Sequence, residues 1–381
     1  MDIKTFANSF QTKSVLELQP IADLLEKVGN PQKDLKYIHV TGTNGKGSVC
    51  AFLQSALTHA GLKCGKYTSP FVVCQEERIS VDGKFIPAEA FDALLKQLEP
   101  YAEGKSPFEL WTAASFLYFK QEKCDIVVLE CGMGGKGDAT NIIPAPECAI
   151  LTRIGLDHTE YLGNTIGEIT LNKCGIIKPG TKHVVTIKQE TTNLIKKHAC
   201  GMFHVAEPVD SPLSLKGKHQ KENAGIAYTA LKALGVAEEH ILYGLSHAKH
   251  PARFEVFEGN PLVIYDGAHN PNGAKALVEN LPDEPLTLIC AFMADKDIQG
   301  VIDELKKGNL QSRCTVRCTT VSDNPRAMQP ENLAELFNLN GFKASPYPTI
   351  REALLNLETT TCVFGSLYLY KEFLDAYKKG A

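Results

Sequence analysis

A chain of 381 residues is long for a single core and suits two domains better than one. Its 44% hydrophobic and 22% charged residues are ordinary for a globular protein, and a formal charge of −4 argues against bulk nucleic-acid binding while leaving room for local basic pockets around an anionic substrate. The opening MDIKTFANSF has no apolar core of signal-peptide length, no apolar run reaches the roughly 18 residues of a membrane span, and the 12 cysteines are scattered without a CxxC pair, which together predict a cytoplasmic protein with reduced, mostly buried thiols.

Taken in chain order, YIHVT (37–41) predicts a strand, followed by a glycine-rich turn and a helix from Lys46 to about Ala60. FELWTAASFLYFKQ (108–121) spaces its large apolar residues as a helix does. DIVVLE (125–130) and CAILTRI (148–154) are short apolar runs with β-branched residues, the pattern of buried parallel strands. HQKENAGIAYTALKALG (219–235) reads as a helix ended by Gly235. LSHAKHPARFE has no clear period and carries Pro251, which puts a linker near 246–253. Beyond it PLVIYDG (261–267), LTLICAF (286–292), RCTVRCTTV (313–321) and CVFGS (362–366) restart the pattern between helix candidates. The alternation predicts an α/β fold. A P-loop-containing ATP-binding domain over 1–249 has helices on both faces of a mostly parallel sheet, and a smaller Rossmann-like α/β domain covers 250–381.

The sharpest chemical signal is Thr41-Gly42-Thr43-Asn44-Gly45-Lys46-Gly47-Ser48, between a strand and a helix. Glycines let backbone N–H groups point at an anion, and the helix N-terminus adds a favourable dipole. Lys46 can reach the β/γ-phosphates of a nucleotide, and Ser48 can offer its hydroxyl to Mg²⁺. The spacing is not GxxxxGKS/T, because Gly47 separates the lysine from the serine.

GTNGKGS resembles the variant loop of the folylpolyglutamate synthase/dihydrofolate synthase family, a branch of the Mur ligase superfamily. Further blocks agree in order along nearly the whole chain: TSP (68–70), ERI (77–79), LECGMGGKGDATN (129–141), TRIGLDHTEYLG (152–163), NKCGIIKPG (172–180), HQKEN (219–223), PARFE (251–255), DGAHNP (266–271) and FGSLY (364–368). The resemblance implies a Mur-ligase-like fold with a C-terminal glutamate-ligase domain. It also implies Mg²⁺, a monovalent cation such as K⁺, and ATP, L-glutamate and dihydropteroate or folates as substrates of a monomeric enzyme.

Glu130 ends an apolar strand before a glycine-rich turn, where it can hold Mg²⁺ through oxygen or brace a loop; the resemblance favours the metal. A lone His158 in LDH is chemically more often structural, and Mg²⁺ prefers oxygen, but the resemblance puts it on a second metal with Asp157 orienting the ring. Lys173 reads as a solvated helix lysine, whereas the resemblance implies a carbamylated one. Asn172 beside it replaces an acidic residue.

Past the linker, Arg253 can act on nucleotide phosphates or form an interdomain ion pair. Asp266 suits ribose hydroxyls, and Asn223 suits the adenine side or a backbone cap. His269, Ser366 and Tyr368 match positions where the family binds glutamate. Phe108 can stack on a pterin, or pack as helix core, and Asp138 can bond a ring edge; both match dihydropteroate-binding positions. Three departures touch the substrate side: Lys136-Gly137 where Arg-Leu is common, Phe71 where a His follows TSP, and Arg153 where Ser is common.

The reaction implied is two-step: ATP converts a pterin-linked carboxylate into an acyl phosphate, and the α-amine of glutamate displaces phosphate. Rival readings are another Mur-type amino-acid ligase and an ATP-gated binding protein without ligase activity. The extra Gly47 and the GDATN block weigh against the first.

Overall fold

A computed structural model describes residues 16–379, so MDIKTFANSF lies outside the described residues. The described residues form two compact units: 16–70, 75–214 and 220–249 make the first, and 71–74, 215–219 and 250–379 the second.

The first unit is built on an eight-stranded sheet. Its strands are β1 (Tyr37–Thr41), β2 (Cys64–Tyr67), β3 (Ile79–Val81), β4 (Lys84–Phe85), β5 (Ile126–Glu130), β6 (Cys148–Leu151), β7 (His183–Ile187) and β8 (Met202–Ala206). They lie in the order β4-β3-β2-β5-β1-β6-β7-β8, parallel from β2 to β8 with β3 and β4 antiparallel at one edge. Every residue of β1, β5, β6 and β7 is buried, as strands covered on both faces require. Its helices are α1 (Gln19–Lys27), α2 (Lys46–His59), α3 (Ala88–Leu98), α4 (Pro107–Gln121), α5 (Thr159–Leu162), α6 (Ile166–Cys174), α7 (Thr192–His198), α8 (Gln220–Ala233) and α9 (Glu238–His247). α4 starts where it does because Ser106 and Glu109 form a reciprocal capping box ahead of Pro107.

α9 runs across the start of the stretch read as aperiodic. Ile241, Gly244 and Leu245 are its buried residues, and a Cβ on Gly244 would fall 2.6 Å from Ala56 Cα of α2, so glycine is what lets the two helices approach.

The second unit holds β9 (Glu255–Phe257), β10 (Val263–Asp266), β11 (Leu286–Cys290), β12 (Cys314–Cys318), β13 (Lys343–Pro346) and β14 (Thr361–Phe364), in the order β13-β12-β11-β14-β10-β9 with only β9 antiparallel. Its helices are α10 (Pro271–Val278), α11 (Ile298–Lys307), α12 (Pro330–Leu339), α13 (Ile350–Ala353) and α14 (Tyr370–Lys378). Strand alternation splits its apolar residues between two clusters: Ile264, Leu288 and Cys290 join one, and Val263, Tyr265 and Ile289 the other. Cys314 and Cys318 sit in the first cluster, so their spacing is that of one strand face, and all twelve cysteines are free thiols. No described helix is long and apolar enough to cross a membrane.

Candidate active site

In the first sheet β1 lies between β5 and β6, so the segments leaving their carboxyl ends are neighbours, the position where open α/β sheets bind ligands. The segment after β1 is the glycine loop. Gly42 has φ +151° and a Cβ there would lie 2.9 Å from Thr152 Cβ; Gly45 has φ +90° and abuts the carboxamide of Asn223. Thr43 N and Asn44 N donate to Arg153 O at 2.9 and 3.4 Å, and Thr152 Oγ1 donates to Asn44 O at 2.7 Å. The loop is thus zipped to the segment after β6. Lys46 Nζ donates to Gly42 O (3.1 Å) and Thr43 O (3.2 Å), folding the cation over the loop. Gly47 and Ser48 are buried in the first turn of α2, and Ser48 Oγ accepts from Gln220 Nε2 at 3.2 Å. Gln220 Oε1 in turn accepts from Asn223 Nδ2 at 2.9 Å.

Left-handed backbone costs a non-glycine residue roughly 1–2 kcal/mol. Gly45→Ala is therefore expected to lower the unfolding midpoint of this unit by about 2–8 °C, since each kcal/mol is worth about 2–4 °C at this size. A thermal melt within about 1 °C of the unaltered protein would rule this out.

Lys173, near the end of α6, is not solvated. It is 3% exposed and its Nζ donates to Gly42 O at 2.8 Å, so two lysines converge on one carbonyl. Burial, and then the charge of Lys46, pull its pKa down to about 7. Glu130, 4% exposed at the end of β5, accepts from Ser69 N at 3.1 Å. His158 has a 39% exposed side chain and φ +50°, and its Nε2 is 3.9 Å from Asp157 Oδ2. Among the described residues no three His, Cys, Asp or Glu side chains form a metal-holding group. The oxygen donors Ser48 and Glu130 fit a hard cation that takes its remaining ligands from phosphate and water.

Asp138 is buried at the end of the loop after β5. Desolvation raises its pKa, against the hydrogen bonds it accepts from Thr140 Oγ1 (2.5 Å), Met133 N (2.8 Å) and Thr140 N (3.0 Å). His39 Nε2 lies 2.9 Å from the same Thr140 hydroxyl, and burial holds His39 neutral, with its pKa lowered to about 3. Phe108 is half-buried; its ring lies 6.0 Å from that of Tyr67, and a Cβ at Gly132 would meet its Cζ at 2.6 Å.

In the second unit β14 lies between β11 and β10, so DGAHNP after β10 and GSLY after β14 leave adjacent strand ends. Asp266 is buried, and desolvation raises its pKa against the nearby charge of Arg253. Its Oδ2 accepts from Phe254 N and its Oδ1 from Ala268 N, both at 2.8 Å. It therefore ties Arg253's loop to the segment that follows β10. His269 Nδ1 lies 2.8 Å from Gly267 O, Ser366 Oγ accepts from Tyr368 N at 3.2 Å, and Ser366 is 3% exposed.

Residues 40–203 match the Mur ligase middle domain and residues 252–363 the Mur ligase glutamate ligase domain. The chain is 34% identical to the folylpolyglutamate synthase of Lacticaseibacillus casei, over 92% of this chain and 91% of that one. The chain belongs to the folylpolyglutamate synthase/dihydrofolate synthase family of Mur ligases. It is also 30% identical to the dihydrofolate synthetase of Saccharomyces cerevisiae, over 94% of this chain and 97% of that one. Its fold matches Escherichia coli FolC in complex with DHPP and ADP with a TM-score of 0.88 at 27% identity, covering 99% and 97% of the two chains.

For a member of this family, two departures have local explanations. Asn172 supplies an acceptor oxygen without a charge: its Oδ1 takes the Gly135 N–H at 3.0 Å. Arg153 turns its side chain to Glu222 (2.6 Å) and Lys188 O (3.2 Å), while its backbone carbonyl still receives the glycine loop. Sequence reasoning passed over Gln220 and Thr152, which hold Ser48 and Asn44. Both lie inside motifs quoted above, HQKEN and TRIGLDHTEYLG, and what marks Gln220 is its complete burial at the start of α8, which only the fold reveals.

Proposed function

We propose that the chain is an ATP-dependent, ADP-forming ligase that adds L-glutamate to dihydropteroate, to reduced folates, or to both, through an acyl phosphate. One observation carries the reading: Lys46 and Lys173 converge on the Gly42 carbonyl of a glycine loop at the head of α2, one strand from the buried Glu130. The names of the family relatives supply the substrates.

A carboxylate is a poor acyl donor. Its oxygen attacks the γ-phosphorus of ATP, the bond to the bridging oxygen breaks, and ADP leaves. The glutamate amine then attacks the acyl carbon, phosphate departs and the amine gives up a proton. The protein orients reactants and neutralises charge. In this reading residues 42–48 cradle the phosphates, Lys46 and Arg253 offset their charge, Asn223 serves the adenine and Asp266 the ribose. Phe108 and Asp138 bind the pterin, and His269, Ser366 and Tyr368 the glutamate. Ser48 and Glu130 would hold Mg²⁺, which when bound neutralises phosphate charge. Lys173 would carry a carbamate, and His158 would serve a second cation. A monovalent ion such as K⁺, the domain limits 1–249 and 250–381, a monomeric state, and a cytoplasmic location without nucleic-acid or membrane partners belong to the same proposal.

ADP release is expected only when a pterin acid and L-glutamate are both present. ADP release indifferent to glutamate would favour a binding protein, and turnover with a cell-wall precursor in place of the pterin acid would favour another Mur-type ligase. Offering dihydropteroate and a reduced folate monoglutamate separately, with product mass as readout, decides between the first and later glutamate additions.

A further inference from the structure

We infer that Glu255 and Tyr370 are positioning residues for Arg253; the inference rests on the ligase reading only for what Arg253 then does. The observation is a backbone anomaly. Ala252 and Phe254, on either side of Arg253, both lie in the left-handed region, at φ +57° and +47°. Neither is a residue that takes this conformation readily, so it persists only where the surroundings over-determine it.

The surroundings do so with an unusual density of bonds. Glu255 Oε2 accepts from Ala252 N at 2.9 Å and from Tyr370 OH at 2.6 Å. Gly267 N donates to Ala252 O at 3.0 Å, and Phe254 N to Asp266 Oδ2. Ala252 is 0% and Phe254 9% exposed, so both flanking side chains are sunk in the unit while Arg253 stays half-buried. Tyr370 is fixed in turn: its ring meets Tyr265 edge-on at 4.8 Å, and Tyr265 OH donates to Ser366 O at 2.7 Å. Two successive reversals of φ aim the side chain between them, and here that is the arginine beside Gly267 at the carboxyl end of β10. Asp266 fixes one side of the reversal. Glu255, held by Tyr370, fixes the other.

Glu255→Ala removes the acceptor. With the full-length chain, kcat/KM for ATP should fall at least about tenfold, mostly through KM, while KM for the pterin acid stays within about twofold. Glu255→Gln keeps a carbonyl oxygen with two lone pairs and should recover activity to within about threefold of wild type. Tyr370→Phe keeps the ring and loses the bond, and should fall between. In an Arg253→Ala background Glu255→Ala should cost less than about twofold further, because residues acting through one group are not additive. An undiminished loss in that background, or kcat/KM for ATP unchanged in Glu255→Ala, overturns the inference. Amide hydrogen exchange reads the same loop without turnover: the Ala252 amide should exchange at least about tenfold faster in Glu255→Ala and in Tyr370→Phe, and unchanged exchange overturns the inference too. If the wild type releases no ADP in response to glutamate, the ligase reading falls by itself and the exchange result still decides the positioning role.

Discussion

Lys46→Ala is expected to lower kcat/KM for ATP by about a thousandfold, the upper end of what losing one pre-placed charge or donor at a transition state costs. The lysine has two jobs in this geometry. Its Nζ donates to Gly42 O and Thr43 O, so it helps shape the loop. It is also a half-buried cation on the glycine loop, and a carbonyl-bonded ammonium needs only a small movement to meet a phosphate bound there. The fold should survive, because Lys46 sits at the first turn of α2 and the core of that helix is Val49, Phe52, Leu53, Ala56 and Leu57. Losing two bonds to carbonyls costs about 1–3 kcal/mol at most, and each kcal/mol moves the unfolding midpoint of a unit this size by about 2–4 °C. Steady-state kinetics with a thermal melt checks both halves. A loss under about tenfold would mean that other groups carry the phosphate charge.

Much of this site was legible because phosphate binding leaves a local signature. The glycine loop, the strand before it and α2 follow from one continuous stretch. Long-range partners are a different matter. CAILTRI reads as a strand to 154, but β6 stops at Leu151 because Thr152 and Arg153 turn to bond Asn44 and Thr43. RCTVRCTTV likewise reads to 321, and β12 stops at Cys318. The end of β6 is set by what it bonds in the glycine loop, and no period in the sequence records that. Lys173 is the sharpest case. A lysine on a nine-residue helix reads as solvated from its own neighbours, and only the fold brings it under Gly42, 131 residues away in sequence. Asp266 shows the converse, an acidic strand end suited to a sugar that the fold also employs on the Phe254 and Ala268 amides.

Replacing Lys173 with methionine should make the protein more stable and nearly inactive. The folded-state pKa is about 7, below the unfolded value of about 10.4. Below pH 7 both states carry the proton, and the folded state bears the whole cost of burying the charge. Between about 7 and 10.4 the unfolded chain holds a proton the folded one does not, so this group makes stability rise with pH until the penalty is gone. In CO₂-depleted buffer Lys173→Met should therefore melt above wild type by about 4 °C or more at pH 6, with the gap closing toward pH 10. Turnover should fall at least about a hundredfold, because methionine cannot become an anion. The low pKa is also what carbamylation requires. A neutral amine adds CO₂ to give R–NH–COO⁻ and releases one proton, so carbamate content should climb between pH 6 and 8 as the neutral fraction rises from about one tenth to about nine tenths. With ¹³C-bicarbonate, wild type should give a carbamate resonance that Lys173→Met lacks. Lys46 is the second cause of the lowered pKa, so Lys46→Ala should move the rise to higher pH. An active wild type with no carbamate signal at pH 8 would leave Lys173 as a neutral donor to Gly42 and remove the anion from the mechanism.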